Sequence, residues 1–280
     1  SKYSRFNLGG PADVFFRPEN ENQLKEFLIM AKENNYKINV LGAGSNTLIR
    51  DSGVNGVVMK LSSNFSNIKL IKPDIIEVGA STLDRKVSEF AKNNNISEME
   101  FLSCIPGSIG GAVTMNSGCY GSDISKILFS IRVLDEFGHE REIKNNEINF
   151  CYRGSNLPKN LIILSAKLKG IISSRELIEK KQNEFIQKKK KSQPSQIKTG
   201  GSTFKNHNDK KAWTLIKESG CDKFVVGNAR ISEKHCNFFV NDGNAKASDI
   251  EALIRKVKKE VKKKTGIDLE LEIKIIGNEK

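Results

Sequence analysis

The stretch Ile105-Pro106-Gly107-Ser108-Ile109-Gly110-Gly111-Ala112, followed by Asn116-Ser117-Gly118-Cys119-Tyr120-Gly121, decides how the rest of this chain is read. Its small residues carry little helical or strand propensity, so the segment predicts a loop that lets a ligand approach the backbone. A second stretch of the same kind lies upstream. Leu41-Gly42-Ala43-Gly44-Ser45-Asn46 closes a short apolar strand, Ile38 to Leu41. Glycines in such loops let backbone N–H groups close on a pyrophosphate, which a side chain would hold away. The first loop lacks the third glycine of the Rossmann fingerprint, so it does not specify a nicotinamide site of that type. Two such loops in one domain of alternating helices and strands predict a dinucleotide bound in an extended pose.

Working outward, Asn20 and Gln23 form a capping box for a helix with its apolar stripe at Leu24, Phe27, Leu28 and Ala31. Strands are predicted at Ile75 to Val78, Ile131 to Leu134 and Ile162 to Leu168. A helix is marked by Leu83, Val87, Phe90 and Ala91. A boundary falls near 170, where Ser173 and Glu176 open a charged helix that ends in Lys188 to Lys191, with Pro194 beyond. A short helix is expected around Trp213 to Glu218. Ser248 and Glu251 then cap a helix with Ile250, Leu253, Ile254, Val257 and Val261 on one face, stopped by Gly266. A terminal strand alternates Leu269, Leu271, Ile273 and Ile275 against Glu270, Glu272 and Lys274.

Bulk properties narrow the function classes. The chain has 280 residues, 38% hydrophobic and 28% charged, which predicts a globular protein of more than one subdomain. No apolar run is long enough to span a bilayer and no leader-like segment opens the chain, so no membrane insertion and a cytoplasmic location are expected. Five cysteines, none in a CxxC pair, are too scattered for a disulfide framework and are read as reduced thiols. Three distant histidines give no metal-ligand spacing, so no metal is expected. The net charge of +13 raises nucleic acid as an alternative partner. The lysines, however, cluster on polar helix faces without interleaved aromatics, so no nucleic-acid platform is predicted. Their field suits small anionic ligands.

Three further segments carry candidate chemistry. Tyr152-Arg153-Gly154-Ser155 offers a guanidinium able to clamp a carboxylate through parallel hydrogen bonds, against the plainer reading of an exposed strand-end arginine. Gly201-Ser202-Thr203-Phe204-Lys205-Asn206 sets a hydroxyl in a glycine loop, with no histidine spaced to make Ser202 a nucleophile. Glu272 lies on the polar side of the last strand.

Taken in order, these segments closely resemble the UDP-N-acetylenolpyruvoylglucosamine reductase family over essentially the whole chain. The resemblance also rests on Phe6-Asn7-Leu8-Gly9-Gly10-Pro11-Ala12-Asp13, Met115-Asn116-Ser117-Gly118, Ile231-Ser232-Glu233-Lys234-His235-Cys236-Asn237-Phe238 and Leu269-Glu270-Leu271-Glu272-Ile273-Lys274-Ile275-Ile276-Gly277. It implies an α+β protein: a two-subdomain FAD-binding module of the vanillyl-alcohol-oxidase type, over 1–64 and 65–170, then a C-terminal α+β substrate domain over 171–280. It further implies FAD as cofactor, NADPH as cosubstrate and a UDP-sugar as substrate in peptidoglycan synthesis. The enolpyruvyl ether of UDP-N-acetylglucosamine enolpyruvate would be reduced to UDP-N-acetylmuramate. Another FAD-linked oxidoreductase of the same fold, a sugar or hydroxy-acid oxidase, is the alternative.

The residues implied as catalytic are Arg153, Ser202 and Glu272. Those implied for FAD are Gly42, Ala43, Gly44, Ser45, Asn46, Pro106, Gly107, Ser108, Gly110, Gly111, Ala112, Asn116 and Gly118. Asn206 and His235 fall where the family contacts the nucleotide-sugar. Two departures stand out. His207 replaces the family's usual proline after Lys-Asn, and the short span from Tyr152 to Ser202 lacks the insertion that carries a covering tyrosine. The chain therefore resembles the second, loop-lacking class. Where that family has an arginine before Pro194, one lysine of Lys188 to Lys191 is expected to meet the diphosphate.

Overall fold

The computed structural model describes residues 1–279. Two compact units share the chain. One comprises Ser1–Asp13, Gly44–Asn55 and the residues from Lys190 onward; the other comprises Val14–Ala43 and Gly56–Lys189.

The second unit is built on a five-stranded antiparallel sheet in the order Glu140–Lys144, Leu128–Leu134, Ile162–Lys169, Ile75–Gly79, Ile68–Lys72. Its central strand, Ile162–Lys169, is buried along most of its length because apolar clusters cover both faces. Ile162 and Leu164 belong to the cluster around Leu24, Phe27 and Leu28, whereas Ile163, Ala166 and Leu168 belong to the one around Ile109, Ala112 and Val113. An uninterrupted strand could not place Leu164 and Ala166 on opposite faces, since side chains alternate with period two. A register shift resolves this: Arg132 faces Ser165 and Val133 faces Ile163, leaving Leu164 as the extra residue of a bulge.

The helix Glu21–Glu33 buries the predicted stripe Leu24, Phe27, Leu28 and Ala31. Asn20 caps it through Gln23 N–H at 2.9 Å, but the Gln23 side chain accepts from Glu19 N–H at 2.8 Å and not from Asn20, so the cap is not reciprocal. The charged helix runs Arg175–Ser192. Its cap is Ser174, which accepts from Leu177 N–H at 3.3 Å, and not the predicted Ser173.

The first unit holds a four-stranded antiparallel sheet in the order Lys198–Ser202, His235–Asn241, Ala229–Ser232, Val225–Val226. The helices Ala212–Glu218 and Ala247–Thr265 pack against it through Leu215, Ile216, Ile250, Leu253, Ile254 and Val257. Phe6, Leu8 and Leu48 join the same core from distant parts of the chain. Phe6 fits because Gly200 has no side chain; a Cβ there would lie 2.4 Å from the Phe6 ring.

The long helix ends at Gly266, φ 75°, as the sequence predicts. Its start differs from the expected Ser248–Glu251 cap. The helix begins at Ala247, where the Asp51 carboxylate accepts from the Ala247 and Ser248 N–H groups at 2.8 and 2.9 Å. Glu251 is taken up by Arg50 through two contacts of 3.0 and 3.2 Å. The cap combines this long-range carboxylate with Asp249, which accepts from Lys246 N–H at 2.9 Å, and local reading had no means of finding Asp51. The terminal segment is also less regular than a full alternating strand. Lys274–Ile276 pairs in parallel with Thr47–Ile49, while Leu271 forms an isolated bridge with Phe204.

Candidate active site

The first glycine loop is shaped by close backbone approach. Gly44 adopts φ +67°, and a Cβ there would stand 1.9 Å from the Tyr3 carbonyl oxygen. Only glycine fits that position. Within the second unit, a Cβ on Gly42 would lie 2.8 Å from Ser108 Oγ and 4.0 Å from Gly111, so the two glycine-rich segments meet there. Lys60 braces this junction: its ammonium donates to the Gly42 carbonyl, and burial together with Arg17 holds its pKa below the usual lysine range. Neither Lys60 nor Arg17 was singled out from sequence. A lysine that follows the apolar run Val57-Val58-Met59 was the available signal.

The second segment is not a plain loop. Ile109–Thr114 forms a short helix despite its two glycines, because Ile109, Ala112 and Val113 bury one face in the core of the second unit. Burial overrides weak propensity here. The Ile109 and Gly110 N–H groups donate to the carbonyls of Thr82 and Ala80 at 3.0 and 2.9 Å. By contrast, the N–H groups of Gly111, and of Ala43, Gly44 and Ser45 in the first loop, have no acceptor among the described residues. Asn116 is buried at φ 42°, its amide donating to the Cys151 carbonyl at 3.1 Å and accepting from Ser125 N–H at 3.0 Å. Pro106 is exposed, Gly107, Gly110 and Gly118 are half-buried, and Ser108 and Ala112 are buried.

Asp84 sits fully buried under this segment, and a Cβ on Gly107 would lie 2.5 Å from its Oδ2. Neither carboxyl oxygen reaches a well-aligned hydrogen-bond partner among the described residues. Burial pushes the carboxyl well above the usual carboxylate range, offset only in part by the Gly107 backbone. A carboxyl that resists ionisation in the fold but ionises freely when unfolded stabilises the protein at low pH. That contribution is lost as pH rises toward the folded-state pKa. Asp84→Asn is neutral at every pH. Its Tm should exceed that of the parent above neutrality, with the gap closing toward about pH 4. A gap independent of pH, measured by thermal denaturation across that range, would contradict the neutral carboxyl.

Arg153 occupies the tip of a hairpin in which Cys151 pairs with Gly154 and Phe150 with Ser155. Its φ is +58°, a left-handed conformation that side-chain-bearing residues adopt at a cost of about 1 kcal/mol or more. The guanidinium lies 4.9 Å from the Tyr152 ring centroid and donates from Nη2 to the Gly118 carbonyl at 2.9 Å.

In the first unit, Ser202 ends the edge strand Lys198–Ser202, just after a register shift between Thr199 and Ser202 and beside Gly201 at φ +81°. Its hydroxyl makes no hydrogen bond among the described residues. The next residues turn to pair with the C-terminal segment: Glu272 N–H donates to the Thr203 carbonyl at 2.9 Å and Lys205 N–H to the Glu270 carbonyl at 2.8 Å. Glu272 thus pairs with Thr203, the residue next to Ser202, while Ser202 itself pairs with Phe238. Asn46 joins them, its amide donating to the Glu272 carbonyl at 2.9 Å. Asn237 locks the ladder by accepting from Phe204 N–H at 2.9 Å and donating to the Phe204 carbonyl at 2.8 Å.

Asn206 accepts from Ala212 N–H at 3.0 Å, capping the short helix that carries Trp213. Trp213 lies 6.4 Å from the His235 ring, which packs edge-on against Phe238 at 4.8 Å. Burial lowers the His235 pKa, disfavouring the charged ring. Trp213, an exposed aromatic beside two predicted substrate contacts, was read from sequence only as part of a helix.

Two glycine-rich segments meeting in an α+β unit, with unspent backbone N–H groups, fit a dinucleotide-binding protein. The comparisons with known proteins are specific. An FAD binding domain model matches residues 12–144, and the model for the UDP-N-acetylenolpyruvoylglucosamine reductase C-terminal domain matches 192–276. The UDP-N-acetylenolpyruvoylglucosamine reductase of Pelagibacter ubique is 49% identical over 98% of this chain and 92% of its own length. That of Wolbachia pipientis is 42% identical over 99% and 94%. The solved structure of the Thermus caldophilus enzyme aligns with a TM-score of 0.87 at 33% identity, covering 98% of this chain and 96% of the other.

This chain belongs to the UDP-N-acetylenolpyruvoylglucosamine reductase family. It is an FAD-dependent oxidoreductase with the expected α+β fold, an FAD binding domain and a C-terminal domain. The residues present fit FAD: small residues and free N–H groups line both loops, and a cationic lysine braces the junction. No helix among the described residues is long and apolar enough to cross a membrane.

Proposed function

We propose that Arg153, Ser202 and Glu272 divide the chemistry of enolpyruvyl reduction among three roles, with the glycine-rich segments 42–46 and 106–118 holding FAD. Bound FAD, reduced by NADPH, supplies the hydride for the β-carbon of the enolpyruvyl ether of UDP-N-acetylglucosamine enolpyruvate. Adding that hydride drives negative charge onto the substrate carboxylate. Arg153 meets the charge with a planar, permanently cationic fork, most favourably where it develops. Glu272, in its protonated form, donates a hydrogen bond to the same group. Ser202 donates the proton to the α-carbon, completing UDP-N-acetylmuramate. A serine hydroxyl is a weak acid, so the strong basicity of the enolate-like species drives this transfer.

Asn206 and His235 bind the nucleotide-sugar, with His235 acting as a neutral ring. A lysine of the run Lys188 to Lys191 takes the diphosphate. The division into 1–64, 65–170 and 171–280 accompanies this reading. The limits of the two family matches support its outer bounds, while the apolar clusters cut across it: Leu134, Ile162 and Leu164 join residues of 24–65, and Phe6, Leu8 and Leu48 join residues of 204–273. A cytoplasmic location follows from the substrates.

The observation that supports the assignment is the ladder joining residues 203–205 to 270–272, which seats Glu272 across from Thr203, the residue next to Ser202. The test is anaerobic. Holoenzyme is bleached with NADPH, and the enolpyruvyl nucleotide-sugar is then added. Return of the flavin absorbance with stoichiometric UDP-N-acetylmuramate is expected. Flavin that stays reduced with this compound, yet is oxidised by a sugar or keto acid, would overturn the substrate assignment.

A further inference from the structure

The Gly42–Ala43 peptide opens the first glycine-rich segment, and a lysine from a neighbouring strand decides how it is turned. Ile38–Val40 pairs in parallel with Val57–Met59, Val40 opposite Met59, and the Leu41 N–H donates to the Met59 carbonyl at 2.8 Å. That register sets Lys60 opposite Leu41, one residue short of the loop. Met59 is fully buried in the cluster around Leu24 and Phe27, so alternation sends Lys60 to the other face of the sheet. From there its ammonium donates to the Gly42 carbonyl.

A second cation shares that face. Val54 N–H donates to the Pro11 carbonyl at 2.9 Å and Lys60 N–H to the Phe16 carbonyl at 3.0 Å, a parallel progression that sets Arg17 opposite Lys60. Phe16 stacks on Phe27 at 4.1 Å on the core side, which leaves Arg17 on the side of Lys60. Neither cation forms an ion pair among the described residues. Their positive field at the loop therefore has no local carboxylate to cancel it, and it favours an anion there.

No peptide bond among the described residues is cis, and in a trans peptide the C=O and N–H point to opposite sides. A carbonyl held by Lys60 thus turns the Ala43 N–H outward, away from the lysine, and that N–H has no acceptor among the described residues. The Gly111 N–H, likewise without an acceptor, belongs to the segment that meets Gly42. A cation on the carbonyl also polarises the amide and strengthens its N–H as a donor. Gly42 has no side chain to resist rotation of this peptide, so without the lysine the two ends are free to exchange sides.

We propose that Lys60 is a positioning residue for FAD: it locks the Gly42–Ala43 peptide with its N–H turned toward the FAD diphosphate, and its charge sharpens that donor. This rests on the reading above that segments 42–46 and 106–118 hold FAD. A flipped peptide would present its carbonyl oxygen to the diphosphate and replace an attraction with a repulsion. Lys60 acts through the peptide, from the side opposite the ligand.

The test uses flavin-free protein prepared from purified holoenzyme, titrated with FAD and, separately, with riboflavin, which lacks the diphosphate. Quenching of flavin fluorescence reads both dissociation constants. Lys60→Met, similar in length but uncharged, should weaken FAD by roughly 10- to 100-fold, the cost of losing a hydrogen bond to a charged group. Riboflavin affinity should stay at the parental value. Lys60→Gln keeps a neutral donor for the Gly42 carbonyl and should fall between the parent and Lys60→Met; it carries the test if the methionine variant does not fold. Lys60→Arg restores the cation and should recover most of the loss. Undiminished FAD affinity in the uncharged variants would overturn the proposal. So would equal weakening of both flavins, which marks a general loosening of the fold. Parent protein that binds FAD no more tightly than riboflavin would instead count against placing the diphosphate on the glycine segments, whatever Lys60 does.

Discussion

Ser202→Ala is expected to leave NADPH reduction of the flavin at its parental rate while lowering turnover of the enolpyruvyl nucleotide-sugar on the order of 10³-fold. The two half-reactions separate because the hydroxyl is required only after charge has reached the substrate. NADPH oxidation produces no carbanion for it to protonate. Stopped-flow flavin bleaching by NADPH, and recolouring on addition of the nucleotide-sugar, read the halves independently. Ser202 is half-buried at a strand end and carries no hydrogen bond among the described residues, so truncating it should shift Tm little. Ser202→Cys provides the control, since a thiol in the same place retains an acidic proton and should recover part of the rate. Parallel loss of both half-reactions would make Ser202 a structural residue of the bulge between Thr199 and Ser202.

Arg153→Gly is expected to separate stability from catalysis in the other direction. The substitution releases a left-handed side-chain-bearing residue, worth about 1 kcal/mol or more, and removes a guanidinium–tyrosine contact worth about 0.5–1 kcal/mol. The Gly118 hydrogen bond is lost as well. These contributions oppose one another, so Tm should move by only a few degrees. The rate should nevertheless fall by roughly 10²–10³-fold, the usual cost of removing a group aimed at developing charge. Arg153→Lys separates charge from geometry. A lysine keeps the cation but not the planar fork, and should restore substrate binding better than it restores turnover. A glycine variant with undiminished turnover would remove Arg153 from the chemistry and leave its backbone conformation without a functional reason.

Features set by short-range pattern were legible before the fold was seen. The helix Glu21–Glu33 and its buried stripe, the helix Asp84–Asn93, and the Gly266 stop all follow from side-chain period and from the conformational freedom of glycine. The two glycine-rich segments were recognisable as ligand-approach segments because only missing side chains permit such backbone proximity. Features decided by distant partners were not legible. Asp51 replaced the expected cap of the last long helix, Arg50 claimed Glu251, and core burial turned Ile109–Thr114 into a helix against its propensity. The bulge at Leu164 likewise reverses which side chains face which cluster, and no local alternation announces it.

The division at the candidate site has the same physical origin. Sequence alone determined which residue types were available: a guanidinium at 153, a hydroxyl at 202, a carboxylate at 272, and backbone freed of side chains at 42–46 and 106–112. Tertiary structure alone decided their company. Glu272 pairs with Thr203, next to Ser202, and Gly42 meets Ser108 across a gap that no Cβ could share. Arg153 is held at a strained turn by Gly118. Residue chemistry and local period are written within a few positions of the chain. Hydrogen-bond partners and burial are chosen only once segments far apart in sequence compete for the same space.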